Sequence, residues 1–333
     1  MTRAVFMGVG SHLPDRVVTN DDLTAWMETS DAWIVERTGI RERRWVAGEV
    51  GGSELAEQAS QRALERAGVA LEEIDCIVLA TLSPDHTFPG SGCFLQHRLG
   101  LAGIPALDVR NQCSGFLYGL SVADAWIRTG AYRRVLLVGT EVHSTGLDVS
   151  TRGRDVACLF GDAAAVAVLG PAAPDSQRGV LAVRLHADGR YARSLWIEAP
   201  GSRFYPRRID EQMLRDGRHY PKMKGRHVFT MAVQRMPEVI GEVLAACGHT
   251  LDEVALIVPH QANQRITEQV GRALGVEPER MYSNIERVGN TTAASIPLAL
   301  CQAEQQGRLR RGDLVVLASF GAGFTWAAAA VRW

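Results

Sequence analysis

The sequence contains no apolar run approaching the roughly 20 residues that a membrane-crossing helix needs, so no span is expected. Cysteine is sparse. Cys76, Cys93, Cys113, Cys158, Cys247 and Cys301 are scattered and share no CxxC spacing, so neither a disulfide framework nor a zinc module is expected and no metal is called for. An excess of one charge is also missing: 36 Lys and Arg meet 37 Asp and Glu, leaving a formal net charge of -1. A chain so balanced has no general affinity for nucleic acid or an anionic membrane. The opening segment, MTRAVFMGVGSHLP, lacks the long apolar centre and cleavage site of a signal peptide. What is present fits a globular protein: 333 residues, 46% apolar and 22% charged, enough for one large domain or two ordinary ones. A reducing, cytoplasmic α/β enzyme is expected.

Short apolar strands alternate with amphipathic helices. Strands are expected at Ala4–Gly8, Cys76–Thr81, Ile104–Val109, Arg134–Thr140, Ala157–Leu169 (interrupted at Gly161 and Asp162) and Gly179–His186. Asn20 reads as a helix cap, as does Ser30 with Asp31, whose helix stops at Gly39; a further helix runs from Ser53 to Gly68. The order then returns. LEEIDCIV at Leu71 is echoed by LDEVALIV at Leu251, RRVLLVG at Arg133 by RGDLVVLAS at Arg311, and the turn Asn111–Ser114 falls opposite Asn290–Ala293. The helix ending Arg98-Leu99-Gly100-Leu101 has a counterpart ending Ala273-Leu274-Gly275-Val276. A common offset of about 175 to 180 residues points to a duplication, with halves at 1–175 and 176–333. Near-continuous apolar strands imply mostly parallel sheets covered by helices. Packed face to face, two such halves bring equivalent strand ends to one shared site.

Cys113 is the natural nucleophile. The stretch DVRNQCSGFLYGLSVADAWIRTG reads as strand, tight turn and helix, with Phe116, Leu117, Leu120, Ala123 and Ile127 at helical spacing and Gly130 as the stop. At a helix start, free N–H groups and aligned peptide dipoles favour thiolate, the reactive form of cysteine. His260 follows the strand Val254–Val258, and Asn290 occupies the turn before a helix expected at Thr292–Gln306. Singly, such a histidine is usually structural and such an asparagine usually a cap. The repeat changes this, because it turns all three towards one cavity. The loop Ser319-Phe320-Gly321-Ala322-Gly323 lets backbone N–H groups come close to a ligand, so that the N–H groups of Ala322 and Cys113 would form an oxyanion hole.

In TSDAWIVERTGIRER at Thr29, CSGFLYGLSVAD at Cys113, STRGRD at Ser150, FGDAAA at Phe160, VPHQANQRI at Val258, GNTTAASIPLAL at Gly289 and FGAGFTW at Phe320, the chain resembles the thiolase-like condensing enzymes, and among them β-ketoacyl-acyl-carrier-protein synthase III. The resemblance covers nearly the whole chain. It implies a duplicated five-layer α/β/α/β/α fold, a homodimer in which Phe88 reaches the partner's pocket, and a Cys113-His260-Asn290 triad. It implies acyl-CoA and malonyl-acyl carrier protein as substrates, with no further cofactor. It also implies that Trp33 and Arg37 hold the adenine end of CoA with Arg152 near its phosphates, that Phe229 and Asn263 line the pantetheine channel, and that Arg265 and Arg272 meet the acidic carrier protein. No cysteine follows Cys301, whereas degradative thiolases carry a second one near the C-terminus.

Three features depart from the family's common pattern. Gln112 precedes the nucleophile where a small residue is usual, Thr230 follows Phe229 where lysine is common, and a basic insert occupies 189–227. The insert and the QCSG sequence also resemble a branch that makes alkyl quinolones from an aromatic acyl-CoA. Three readings follow: a fatty-acid-initiating synthase, a specialised-metabolite synthase of the same fold taking an aromatic or longer acyl-CoA, and a non-catalytic acyl-binding protein. The intact triad disfavours the last.

Overall fold

The computed structural model describes residues 2–333. Its first sheet is built from β1 (Ala4–His12), β2 (Cys76–Ala80), β3 (Ala106–Val109), β4 (Val135–Glu141) and β5 (Ala163–Pro171), in the order β1-β5-β4-β2-β3. β2, β3 and β4 run parallel, so their carboxyl ends share one edge; β5 is antiparallel to β4, and β1 to β5. The second sheet, from β6 (Gly179–Ala187), β7 (Val254–Pro259), β8 (Leu314–Gly321) and β9 (Thr325–Arg332), has the order β7-β8-β9-β6. Its β7 and β8 are parallel and the other pairs antiparallel. Read from β6, this is the first sheet's order without its last strand. A parallel bridge from Ile257 to Met281 lies where that strand would be.

Strands buried on both faces explain the continuous apolar runs. In β4, Val135 and Leu137 face a central core while Leu136 and Val138 face an outer one, as alternation in a strand requires. The central core also holds Phe116, Leu120 and Ile127 of α4 (Gly115–Thr129) and Ile296, Leu300 and Ala303 of α7 (Ser295–Gln305), two helices packed between the sheets. Outside the first sheet lie α2 (Gly52–Ala67) and α3 (Ser91–Arg98); outside the second lie α5 (Gly225–Cys247) and α6 (Gln264–Leu274). Helices, sheet, helices, sheet, helices make the five layers. The small α1 (Asp31–Thr38) stands apart, capped by the Ser30 side chain on the Trp33 N–H and ended by Gly39 at φ 76°, a left-handed conformation suited to glycine.

Several local expectations are corrected. Thr19, not Asn20, caps the first short helix; Asn20 is its first residue, and its side chain binds the buried Arg43. The run at Ala157 is not the start of a strand: Arg154–Ala157 is helical, and β5 begins at Ala163. Cys93 is exposed, whereas Cys158 and Cys301 are buried. The insert is folded, with a ribbon pairing Leu195–Ile197 to Pro221–Met223 and a short helix at Glu211–Arg215. Part of its positive charge is paired internally, as Arg218 and Lys222 meet Glu198.

Candidate active site

Cys113 lies in a 3-10 turn, Gln112–Ser114, and α4 begins two residues after it at Gly115. Gln112 takes a positive φ of 44°, and in the second half Thr292 takes 47° at the head of the matching turn Thr292–Ala294. These strained, non-glycine positions set the repeat's local register at 112 to 292, one residue from the alignment expected above. The cysteine is 7% exposed. Gly321, at the end of β8, lies against it so closely that an added Cβ would fall 2.5 Å from Cys113 Cβ and 2.8 Å from Sγ. The backbone N–H groups of Ala322 and of Cys113 itself lie near enough to the sulfur to favour its anion. The expected thiolate is corrected. Burial, with a further push from Glu141, drives the thiol up to about 12, and the two N–H groups only partly offset this.

His260 follows β7, its N–H donating to Ala318 of β8 at 2.7 Å. Its ring is 3% exposed, and Nδ1 lies 2.6 Å from Ser295 Oγ, while Nε2 is buried with no partner. Burial lowers its pKa to about 3, so the ring is neutral at physiological pH. Asn290 is fixed by its backbone, which donates to Leu159 and accepts from Gly161, and by Oδ1, which accepts the Thr292 N–H at 2.9 Å. Its Nδ2 has no hydrogen-bond partner among the described residues. The Thr292–Ala294 turn approaches β4 at Gly139, where a side chain would strike the Ala293 carbonyl at 2.3 Å. The turns bearing Cys113 and Asn290 thus meet over one sheet edge.

Two buried residues of this region were not singled out in sequence. Glu141 ends β4 and accepts from Ser83 Oγ at 2.6 Å, from the Leu82 and Ser83 N–H groups at 3.2 Å, and from Thr81. Burial raises its carboxyl to about 7 against these bonds. His143 places Nε2 at 2.7 Å from Thr292 Oγ1 and 4.0 Å from Glu141, with its ring against Phe160. Burial, and then the nearby His260, lowers it to about 3. The signal available in sequence was a polar ExH placed straight after an apolar strand whose carboxyl end faces the site.

Several residues expected to contact the ligands touch one another. Arg37 lies over the Trp33 ring at 4.4 Å, and the Asn263 side chain caps α6 at Arg265 while donating to the Arg37 carbonyl at 2.9 Å. Arg265 lies over Phe229 at 5.8 Å. Arg272 is exposed in the last turn of α6. Arg152 is placed differently. It pairs with Asp148 at 2.6 Å and reaches the Arg215 carbonyl of the insert, whereas Arg154, which was overlooked, sits over Trp33 at 4.7 Å. Phe88 is 80% exposed on the loop after β2. Among the described residues no cluster of three or more His, Cys, Asp or Glu could hold a metal ion, and no helix is long and apolar enough to cross a membrane.

The family models for 3-oxoacyl-[acyl-carrier-protein] synthase III match residues 107–189, and those for its C-terminal part residues 244–333. A β-ketoacyl-[acyl-carrier-protein] synthase III of Rhizorhabdus wittichii is 46% identical over 100% of both chains, and one of Rhodospirillum centenum is 45% identical over 99% of both. A solved synthase III of Thermus thermophilus is 40% identical and superposes with a TM-score of 0.90 over 98% of each chain. The sheet order, the two strained turns and the Cys113, His260 and Asn290 positions lie within the stretch these relatives share, and the chain belongs to the β-ketoacyl-acyl-carrier-protein synthase III family of thiolase-fold condensing enzymes.

Proposed function

We propose that the protein joins an acyl group from acyl-CoA to malonyl-acyl carrier protein, with loss of carbon dioxide, as the initiating step of fatty-acid synthesis. Cys113 attacks the acyl-CoA carbonyl, and the N–H groups of Cys113 and Ala322 hold the developing oxyanion. The C–S bond to CoA breaks, CoA leaves as its thiol with the cysteine's proton, and an S-acyl enzyme remains. A buried thiol suits this sequence, because the proton departs only as the sulfur becomes acylated.

Malonyl-acyl carrier protein then enters, and His260 Nε2 and Asn290 Nδ2 donate to its thioester oxygen. Cleavage of the bond to the carboxylate releases carbon dioxide and leaves an enolate, whose carbon attacks the acyl carbonyl. Cys113 leaves, takes up a proton and is regenerated. The observation that carries this reading is the unpartnered Nε2 of His260, buried while Nδ1 is fixed by Ser295. An unpaired buried donor costs about 1–3 kcal/mol, and its worth is recovered when an oxygen arrives to accept from it.

Trp33, Arg37 and Arg154 would hold the nucleotide end of CoA, Phe229 and Asn263 the pantetheine arm, and Arg265 and Arg272 the acidic carrier protein. Arg152 would act through the insert that it ties down. The chain is read as a duplication divided near residue 175, and as a cytoplasmic homodimer with the exposed Phe88 reaching the partner's pocket. Intact-protein mass after mixing with acetyl-CoA tests the acylation step. An adduct that requires Cys113 is expected, and no adduct on a folded protein would sink the reading.

A further inference from the structure

A cavity of about 320 Å³ is lined in part by His143, whose Nε2 touches Thr292 in the turn after Asn290. Its walls come from the segments after β2 and β4, including Leu82, Pro84, Asp85 and His143, with Ile197 and Pro221 of the insert closing one side. Because β2, β3 and β4 are parallel, these segments leave the same sheet edge from which Cys113 emerges. The volume is at the low end of the roughly 300–1,000 Å³ of small-molecule sites, which is ample for an acyl group larger than acetyl.

The lining mixes apolar side chains such as Val50, Leu82, Val142 and Leu147 with the polar Ser83, Asp85, His143 and Thr145, and two of these polar groups have spare bonding capacity. His143 is 7% exposed and commits Nε2 to Thr292, and its Nδ1 has no hydrogen-bond partner among the described residues. Asp85 Oδ1 accepts the Ser53 N–H at 3.1 Å, and Oδ2 is buried without a partner. The mechanism uses neither residue. A site with such groups favours a ligand that pairs them and penalises one that leaves them bare.

Resting on the acyl-enzyme reading above, we infer that this cavity receives the acyl group and that His143 selects acyl groups carrying a hydroxyl or amino substituent. In the tautomer whose Nε2 accepts from the Thr292 hydroxyl, Nδ1 carries the proton and offers it to an oxygen or nitrogen on the acyl group. Asp85 can accept a hydrogen from the same substituent. His143 is thus a specificity-determining residue, and the triad's chemistry is unaltered by it.

The test measures Cys113 acylation by intact mass with two matched pairs, butyryl- against 3-hydroxybutyryl-CoA and benzoyl- against 2-aminobenzoyl-CoA, and with acetyl-CoA as reference. The natural protein is expected to favour the substituted member of at least one pair by 10-fold or more. His143→Leu should reverse that pair, and His143→Gln, which keeps a hydrogen-bonding group, should retain the preference. Preference for the unsubstituted member in both pairs, or a ratio unchanged within twofold in His143→Leu, would overturn the inference. Acylation by acetyl-CoA with either result leaves the condensing reading standing, whereas no acylation by any thioester defeats both.

Discussion

His260 Nδ1 lies 2.6 Å from Ser295 Oγ, so the first residue of α7 orients the imidazole that follows β7. In the tautomer whose Nδ1 accepts from this hydroxyl, the ring proton resides on Nε2 and can be donated to a thioester oxygen.

Ser295→Ala should therefore impair the second half of the reaction more than the first. Loss of a typical buried hydrogen bond is worth about 1–1.5 kcal/mol, which is about 10-fold in rate. Burst release of CoA reports acylation and carbon dioxide release reports condensation. Equal loss in both would remove the assigned role of Ser295.

Gly321→Ala places a methyl group within 2.8 Å of the Cys113 sulfur, while the backbone there is ordinary strand. The variant is expected to fold, at an overpacking cost of about 1–3 kcal/mol, and to lose acylation by 100-fold or more. Thermal unfolding and intact mass together check this. Normal acylation would mean that the glycine only eases packing.

The buried site also sets a pH dependence. His260 and His143 both have native pKa values lowered to about 3, so between that value and the ordinary histidine range the unfolded chain binds protons the native protein does not. Stability then rises with pH across this window. Glu141, raised to about 7, acts oppositely, since the native carboxyl keeps its proton after the unfolded one has lost it. Each group contributes a slope of about 1.4 kcal/mol per pH unit within its own window. Replacing His260 with Gln should flatten the rise in stability between pH 5 and 6 by about that amount. Urea unfolding at both pH values measures it, and an unchanged slope would show that His260 is protonated in the native protein.

Strand periodicity and the duplicated segments made most of the fold legible, because strands buried on both faces leave unbroken apolar runs at Val135 and Leu314. The positions of Cys113, His260 and Asn290 were legible for a related reason, since each follows or faces a strand end in the repeat. The thiol's protonation was not, because it depends on how closely Gly321 and β8 cover the sulfur, which local sequence does not encode. Arg43 was missed similarly. It is fully buried, with its two terminal nitrogens donating to the Val18 and Cys158 carbonyls and to Asn20, partners 25, 115 and 23 residues away. Arg152 and Arg154 differ by two positions, and only the docked insert shows which of them faces Trp33.

The cluster around Trp33 offers a prediction that separates binding from chemistry. Trp33 has the guanidinium groups of Arg37 and Arg154 against its ring, and the Arg37 carbonyl is tied to Asn263 at the head of α6. Trp33 makes no contact with Cys113 in this arrangement, so Trp33→Ala should act through the nucleotide end of CoA alone. KM for acetyl-CoA is expected to rise about 10-fold, in keeping with the loss of a stacking and cation–π surface worth about 1–2 kcal/mol, with kcat little altered. Acetyl-pantetheine, which lacks the nucleotide, should react equally with both proteins. If Trp33→Ala slowed the truncated donor as much as acetyl-CoA, the tryptophan would be a structural support for α1 and the adenine would have to bind elsewhere.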